Sequence, residues 1–287
     1  MARRTSLADL NCAIAQSLDI VGDWWTLLVI RDVARGLHRF EELHTELGIS
    51  RKVLTERLNG LVEHGVLARR PYQHRPPRHE YVLTGVGRGL LPVLVSLQEW
   101  GDTWVLGDGT TTATASPESA EARRVHDLVG VRIPELTLPG EHGPVDPIAD
   151  TPLTVVYCYP GTGVRAPEWT SIPGAVGCTL ESCTYRDRLA DFTDLGATVH
   201  GVSTQRPDEQ RAFATAERIP FPLLSDAGLH LTAALRLPTF RAGGVARIKR
   251  LTLIVGADRV IRRVLYPIAD VTGSVADALA AVRAASS

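Results

Sequence analysis

Residues 153–192, LTVVYCYPGTGVRAPEWTSIPGAVGCTLESCTYRDRLADF, run from an unbroken apolar segment through a Gly- and Pro-rich loop into a helical pattern holding two cysteines. Residues 153–159 have the β-branched and aromatic content of a strand buried on both faces. Glycines and prolines between 160 and 177 end that strand, and residues 178–195 resume as a helix. The alternation continues downstream. ATVHGVS (197–203) reads as a strand and PDEQRAFATAERI (207–219) as a helix. RLTLIV (250–255) and RVIRRVLYP (259–267) read as strands, and VADALAAVRA (275–284) as a closing helix. Strands alternating with helices predict a layered α/β domain.

The two cysteines, Cys178 and Cys183, are five apart. A helix separates such residues by roughly 7.5 Å along its axis and about 140° around it. A disulfide needs Cα atoms within about 7 Å and converging Cβ vectors. The pair therefore cannot bond while both are helical, and its first turn has to melt. That geometry suits a redox cycle better than a staple. Cys178 follows IPGAVG at the expected helix start, where free N–H groups and the dipole favour a thiolate. A thiolate attacks peroxide to give a sulfenic acid, which a second thiol condenses to a disulfide. Chance spacing or half a metal site are the alternatives, but no second His or Cys pair lies at ligand spacing, so no metal is expected. Cys158 sits in the buried-type strand as an inert core thiol.

The first half follows different rules. Residues 6–35 carry helical periodicity broken near Gly22, RFEELHTELG (39–48) makes a third helix, and ISRKVLTERLNGLVEHG (49–65) a fourth with Ser50 as N-cap and Gly65 as stop. VLARRPYQHRPPRHEYVLT (66–84) reads as a hairpin, and 87–105 returns to helix. Helix, tight turn, capped helix and hairpin predict a winged helix-turn-helix. Leu54, Leu58, Leu61 and Val62 share one face of the fourth helix, which turns Lys52, Glu56, Asn59 and Glu63 outward. Recognition helices meet base edges mainly with their N-terminal residues, so Ser50, Arg51, Lys52 and Thr55 are the base-side candidates. Residues 50–80 hold seven basic side chains against three acidic ones. Arg69, Arg70, Arg75 and Arg78 of the hairpin are the phosphate-side candidates.

Over 287 residues the net charge is −1, so any polyanionic partner must be held by a local patch. The longest apolar run, WWTLLVI (24–30), is too short to span a bilayer, and MARRTSLADL lacks the apolar core of a secretory signal. No membrane association and a cytoplasmic location are the expectations. DGTTTATASPESA (108–120) is small and polar, and reads as a flexible linker. The expected division is therefore 1–107 for DNA binding and dimerisation, 108–125 as linker, and 126–287 as the α/β domain. Trp24, Trp25 and Trp100 are expected in core or dimer packing, and IRR (261–263) on an exposed strand face.

CAIAQSLDIVGDWWTLLVIRD, RFEEL, GISRKVLTERLNGLVEHGVLARR and PPRHEYVLTGVGRGLLPVL resemble the HxlR family of winged-helix regulators over about 12–104. The resemblance implies a homodimer built through terminal helices, here 7–20 and 87–104, binding double-stranded DNA with two-fold symmetry. It also implies a redox-sensing thiol at Cys12, which otherwise reads as packing on an apolar helix face.

VVYCYPGTG, GCTLESCTYRDRLADF, GATVHGVSTQ, IPFPLLSD and IKRLTLIV are similar to the thioredoxin-fold peroxiredoxins, nearest the bacterioferritin-comigratory or peroxiredoxin Q branch, from about 126 onward. The resemblance implies Cys178 as the peroxidatic thiol, Cys183 as the resolving thiol and Arg250 as the cation that stabilises the thiolate and orients peroxide. It implies a peroxide substrate, a thioredoxin-like reductant and no cofactor. The family pattern P-x-x-x-T/S-x-x-C places a hydroxyl three residues before the cysteine, where this chain has Ala175, and a proline where it has Ser171. Pro160 ends the strand as in the family, and the inserted loop offers Thr170 or Ser171 as the substitute hydroxyl. The whole reads as a multidomain chain, an α+β winged helix-turn-helix followed by an α/β thioredoxin-like domain. The expected function is a redox-responsive DNA-binding regulator with a fused thiol peroxidase. The alternatives are a peroxidase that the winged helix only localises, and a regulator with weak turnover.

Overall fold

The computed structural model describes residues 11–163 and 167–286, so positions 6–10 of the expected first helix lie outside it. Contacts group into two compact units, one ending at Leu94 and one beginning at Val95, upstream of the composition break at 107/108.

The first unit opens with α1 (Ala13–Val21) and α2 (Trp24–Ala34), the break at Gly22 being followed by Asp23, whose carboxylate caps the N–H groups of Trp25 and Thr26. Helix α3 (Phe40–Leu47) ends at Gly48, which takes φ +62°, a value that favours glycine. Helix α4 (Arg51–Glu63) starts at Ser50, whose hydroxyl accepts from the Val53 N–H at 3.3 Å. Strands β1 (Leu67–His74) and β2 (Pro77–Leu83) form an antiparallel hairpin. The core is the predicted face of α4: Leu54, Leu58 and Leu61 are buried with Val29, Ile30 and Leu43, and Val62 packs alongside. Helix α5 (Gly85–Arg88) follows, and α6 (Leu91–Trp104) runs across the 94/95 boundary into the second unit. Trp25 packs on the core, whereas Trp24 and Trp100 are exposed and are not core residues.

The second unit holds α7 (Ala120–His126), the short hairpin β3 (Leu138–Gly140) and β4 (Gly143–Val145), and β5 (Leu153–Cys158). Then come α8 (Pro167–Thr170), α9 (Cys178–Asp187), α10 (Leu189–Thr193), β6 (Ala197–Ser203), α11 (Pro207–Glu217), β7 (Leu223–Ser225) and α12 (His230–Leu235). The hairpin β8 (Thr239–Ala242) and β9 (Val245–Ile248) leads into β10 (Leu251–Gly256), β11 (Ile261–Leu265) and α13 (Gly273–Ser286). The expected single helix over 178–195 breaks at Arg188. The main sheet has the order β11-β10-β5-β6-β7, with β5, β6 and β7 parallel and β10 antiparallel to both its neighbours.

Strand β5 divides its side chains with period two. Val156 and Cys158 join one core with α7 and α12. Val155, Tyr157 and Tyr159 join the other with α9, α10 and α13. Burial pushes the Cys158 thiol far up, as expected of an inert core thiol. On the other face, the Tyr157 ring stacks 4.4 Å from Tyr185, and its hydroxyl donates to Ser182 at 3.1 Å. Those contacts seat α9 on the sheet. Gly201 on β6 leaves room for that phenol, since a Cβ there would lie 2.7 Å from the Tyr157 oxygen.

Residues 108–119 carry no helix or strand, yet they do not hang free. Ala113 is buried, and its N–H donates to the Pro173 carbonyl at 2.9 Å. The Lys249 ammonium, itself buried, donates to the Thr114 carbonyl at 3.2 Å and pairs with Glu121 at 2.9 Å. This corrects the reading of 108–125 as a flexible linker. Small polar composition removes an apolar pattern but does not prevent a backbone from being bonded down.

Leu58→Ala should lower the stability of the N-terminal unit by about 2–5 kcal/mol, because the lost side chain leaves a cavity between α4 and α2. Lys52→Ala on the outer face should change it by less than about 0.5 kcal/mol. Thermal unfolding of both variants checks the contrast.

Candidate functional site

Helix α9 begins at Cys178, preceded by Gly177 with φ +101°. Cys178 is 3% exposed. The Arg250 guanidinium donates to it through Nη2 at 3.3 Å, and the same nitrogen donates to the Val176 carbonyl at 3.0 Å. The Gly161 N–H also points at the sulfur. The thiol in turn donates to the Ala175 carbonyl at 3.7 Å. Arg250 precedes β10 rather than lying on it, and its Nη1 is paired with the carboxylate of Glu181.

Glu181 is fully buried, three residues after Cys178 and so on the same face of α9. Sequence reasoning missed it, although that i, i+3 spacing was available. Burial pushes its carboxyl up to about 7, against the pull of Arg250.

The expectation of a thiol lowered by the helix start needs correction. Burial is the largest influence on Cys178 and raises its pKa above the ordinary thiol value. Arg250 opposes this, Glu181 adds to it, and the Gly161 amide opposes it. The physical reason is that a dry site disfavours any new charge, and the one cation present is already shared with a carboxylate.

Cys183 is half-buried further along α9. Its thiol donates to Glu217 Oε2 at 3.6 Å. Burial also raises this thiol, Arg186 lowers it, and Glu217 raises it. All four cysteines are free thiols. Pro160 is buried at the end of β5. Thr170 and Ser171 are exposed, whereas Ala175 is fully buried, so the substitute hydroxyls stand on the outside of the inserted loop. Trp169 on α8, also missed from the sequence, is buried against Phe240, and its indole N–H donates to the Ala175 carbonyl at 3.1 Å. The Arg247 guanidinium lies 5.5 Å over its ring. Among the described residues no group of three or more His, Cys, Asp or Glu is placed to hold a metal ion.

In the first unit, Lys52 and Thr55 are exposed at the start of α4, where Ser50 is the cap. Arg51 is exposed but bonded to Glu41 at 2.9 Å, and its guanidinium lies 5.0 Å over the Phe40 ring. Arg69 bonds Asn59, while Arg70, Arg75 and Arg78 are exposed on the hairpin. A groove of about 750 Å³ runs between α3, the start of α4 and the hairpin, with Arg39, Arg51, Thr55 and Arg78 on its walls. Arg39 and Tyr72, stacked 4.5 Å apart, are further wall residues that the sequence did not single out. Cys12 is exposed just before α1.

Comparison with known proteins matches two separate stretches of the chain. Residues 20–108 match the family described as HxlR-like helix-turn-helix, and residues 129–264 match the AhpC/TSA family. An uncharacterized HTH-type transcriptional regulator of Mycobacterium tuberculosis is 44% identical over 93 residues, 32% of this chain. The chain spans only 59% of that relative's length. An uncharacterized HTH-type transcriptional regulator of Synechocystis is 39% identical over 95 residues, covering 33% of this chain and 70% of the relative. The crystal structure of peroxidoxin BcpB from Mycobacterium tuberculosis aligns with 54% of this chain and 96% of its own, at 27% identity and a TM-score of 0.46. The chain belongs to the HxlR-like helix-turn-helix family through its N-terminal region, and its C-terminal region is a thioredoxin-like domain of the AhpC/TSA family.

Proposed function

We propose that this chain is a peroxide-responsive DNA-binding regulator whose C-terminal domain is both sensor and thiol peroxidase. The observation that carries the reading is the Arg250 guanidinium, donating to the Cys178 sulfur at 3.3 Å in a domain of this family. In the proposed reaction the Cys178 thiolate attacks one peroxide oxygen and the O–O bond breaks. The sulfur is oxidised to a sulfenic acid, and the departing alkoxide or hydroxide takes up a proton. Arg250 stabilises the thiolate and then the charge on the leaving oxygen. The Cys183 thiol then attacks the sulfenic sulfur, an S–S bond forms and water leaves. A thioredoxin-like dithiol returns both cysteines to the thiol state, which requires a reducing compartment such as the cytoplasm.

On the DNA side, the start of α4 meets base edges while Arg70, Arg75 and Arg78 contact phosphate. A homodimer supplies the second half-site contact. The exposed apolar side chains Ile14 and Leu18 on α1, and Val93, Leu97 and Trp100 on α6, support such pairing. Cys12, exposed before α1, is a second candidate for oxidation.

Two observations favour a slower enzyme: Ala175 supplies no hydroxyl, and burial raises the thiol above its ordinary pKa. A regulator that senses peroxide once and turns over slowly is the second reading.

Two measurements test these proposals. Peroxide consumption with a thioredoxin system should fall to background in Cys178→Ser and stop after one equivalent in Cys183→Ser. DNA selected from a random pool by the reduced protein should change affinity after peroxide in wild type but not in Cys178→Ser. Equal affinity in all four samples would refute the coupling, and consumption near background in wild type with Cys178 still oxidisable would favour the one-shot sensor.

Arg70→Ala and Arg78→Ala should each reduce the slope of log affinity against log salt by about 1, with little change in sequence preference. An unchanged slope removes that residue from the phosphate contacts.

The buried Glu181 sets a pH dependence. Its carboxyl holds a proton to about pH 7 in the folded chain, against 4.5 for the free side chain. Folded protein therefore binds more protons than unfolded across that window, and this group's contribution to stability declines as pH rises from 4.5 to 7. Between those limits wild-type Tm should fall relative to Glu181→Gln. Parallel curves would remove Glu181 as the titrating group.

A further inference from the structure

Segment 112–121 packs directly on the loop that leads into Cys178. The Pro173 carbonyl accepts from the Ala113 N–H at 2.9 Å and from the Thr112 hydroxyl at 3.3 Å. The next residue, Gly174, has φ +81°. A Cβ there would lie 3.1 Å from the Thr114 Cβ, so the two backbones meet with no side chain between them. Ala113, 1% exposed, shares one apolar cluster with Trp169, Ala175, Phe240 and Ala242. Ala175 is the residue whose carbonyl accepts from both the Trp169 indole and the Cys178 thiol.

A second connection runs through consecutive residues. Lys249 holds the segment, through the Thr114 carbonyl and the carboxylate of Glu121, and Glu121 is bonded in turn by the Tyr266 hydroxyl. Arg250 holds Cys178, Val176 and Glu181. The chain therefore grips the segment and the reactive thiol with neighbouring side chains at the entrance to β10.

Resting on the peroxide reading above, we infer that residues 112–121 are a redox-released strap, seated on the 173–177 loop while Cys178 is a thiol and unseated when the Cys178–Cys183 disulfide forms. The oxidant is the peroxide. Cys183 displaces water from the Cys178 sulfenic acid, one S–S bond replaces one S–O bond, and the thiol proton leaves with the water. Two helical residues five apart are separated by roughly 7.5 Å of rise and about 140° of rotation, beyond disulfide reach.

Cys183 lies in the middle of α9, whereas Cys178 is its first residue, so the end with fewer backbone bonds yields. Unwinding that turn breaks the Glu181 N–H bond to the Gly177 carbonyl and both Arg250 bonds to the Val176–Cys178 segment. The loop has glycine at 174 and 177, both at positive φ, and four peptide bonds join Gly174 to Cys178. A displacement of Cys178 thus draws Ala175 and Gly174 from under Ala113 and Thr114. The strap loses its backbone acceptor and its apolar seat in the same event.

Hydrogen exchange of the Ala113 amide tests this on the full chain. The measurement is made reduced and after one equivalent of hydrogen peroxide, with peptide mass mapping of the 178–183 disulfide in the same samples. In wild type the Ala113 amide should exchange at least about tenfold faster once the disulfide has formed. In Cys183→Ser, treated identically, its rate should stay at the reduced value. Disulfide formation with unchanged Ala113 exchange overturns the strap and leaves the peroxide chemistry standing. Equal acceleration in Cys183→Ser overturns it too, by assigning release to the first oxidation step. Absence of the disulfide in wild type removes the peroxide reading and the strap with it.

Discussion

One guanidinium faces two groups that can each carry a negative charge. Arg250 bridges the Cys178 sulfur and the Glu181 carboxylate in a place from which water is nearly excluded, and the packing of the C-terminal unit serves to hold it there. A buried cation without a partner would be prohibitively costly, so Glu181 is what allows Arg250 to stand beside the sulfur. The same carboxylate competes with the sulfur for that charge. The site therefore titrates as a coupled set, in which protonating Glu181 leaves the guanidinium to the thiolate.

The rest of the unit can be understood from that constraint. The two faces of β5 keep an unreactive thiol, Cys158, on one side and the α9 core on the other, so the sheet itself separates the two sulfurs. The aromatic stack of Tyr157, Tyr159 and Tyr185 fixes the floor under α9. Gly177 turns the chain so that α9 starts with the sulfur pointing at Arg250. In the N-terminal unit, Arg51 is likewise shared: at the start of α4 it is engaged by Glu41, so DNA binding by that side chain would exchange one anionic partner for another.

Much of this was legible in the sequence because the elements concerned are long and periodic. The buried face of α4, its serine cap, the hairpin, strand β5 and the two cysteines of α9 were all readable from spacing alone. Strands β3, β4, β7, β8 and β9 were not, since segments of three or four residues are too short to carry a period. The site was half legible. Arg250 came through family resemblance, and Glu181 stands three residues from Cys178 yet was not singled out. The thiol's electrostatics were misread because position at a helix start is visible in a sequence, while burial depends on what the distant segments 161 and 250 bring over it. The segment 108–120 was misread for the same reason. Its composition is that of a linker, but its bonds are made by the Lys249 side chain and the Pro173 carbonyl, far along the chain.

Ala175 ties the two misreadings together. A hydroxyl at this position would be enclosed by Ala113, Trp169, Phe240 and Ala242, an apolar setting in which an unbonded hydroxyl costs about 1–3 kcal/mol. The methyl group instead completes that cluster, and the backbone carbonyl takes over the polar contact, accepting from the Trp169 indole on one side and the thiol on the other. The methyl thus provides the apolar seat for Ala113. On the peroxide-sensing proposal, a thiol that must report its state to the chain beyond it has a physical reason to keep that seat.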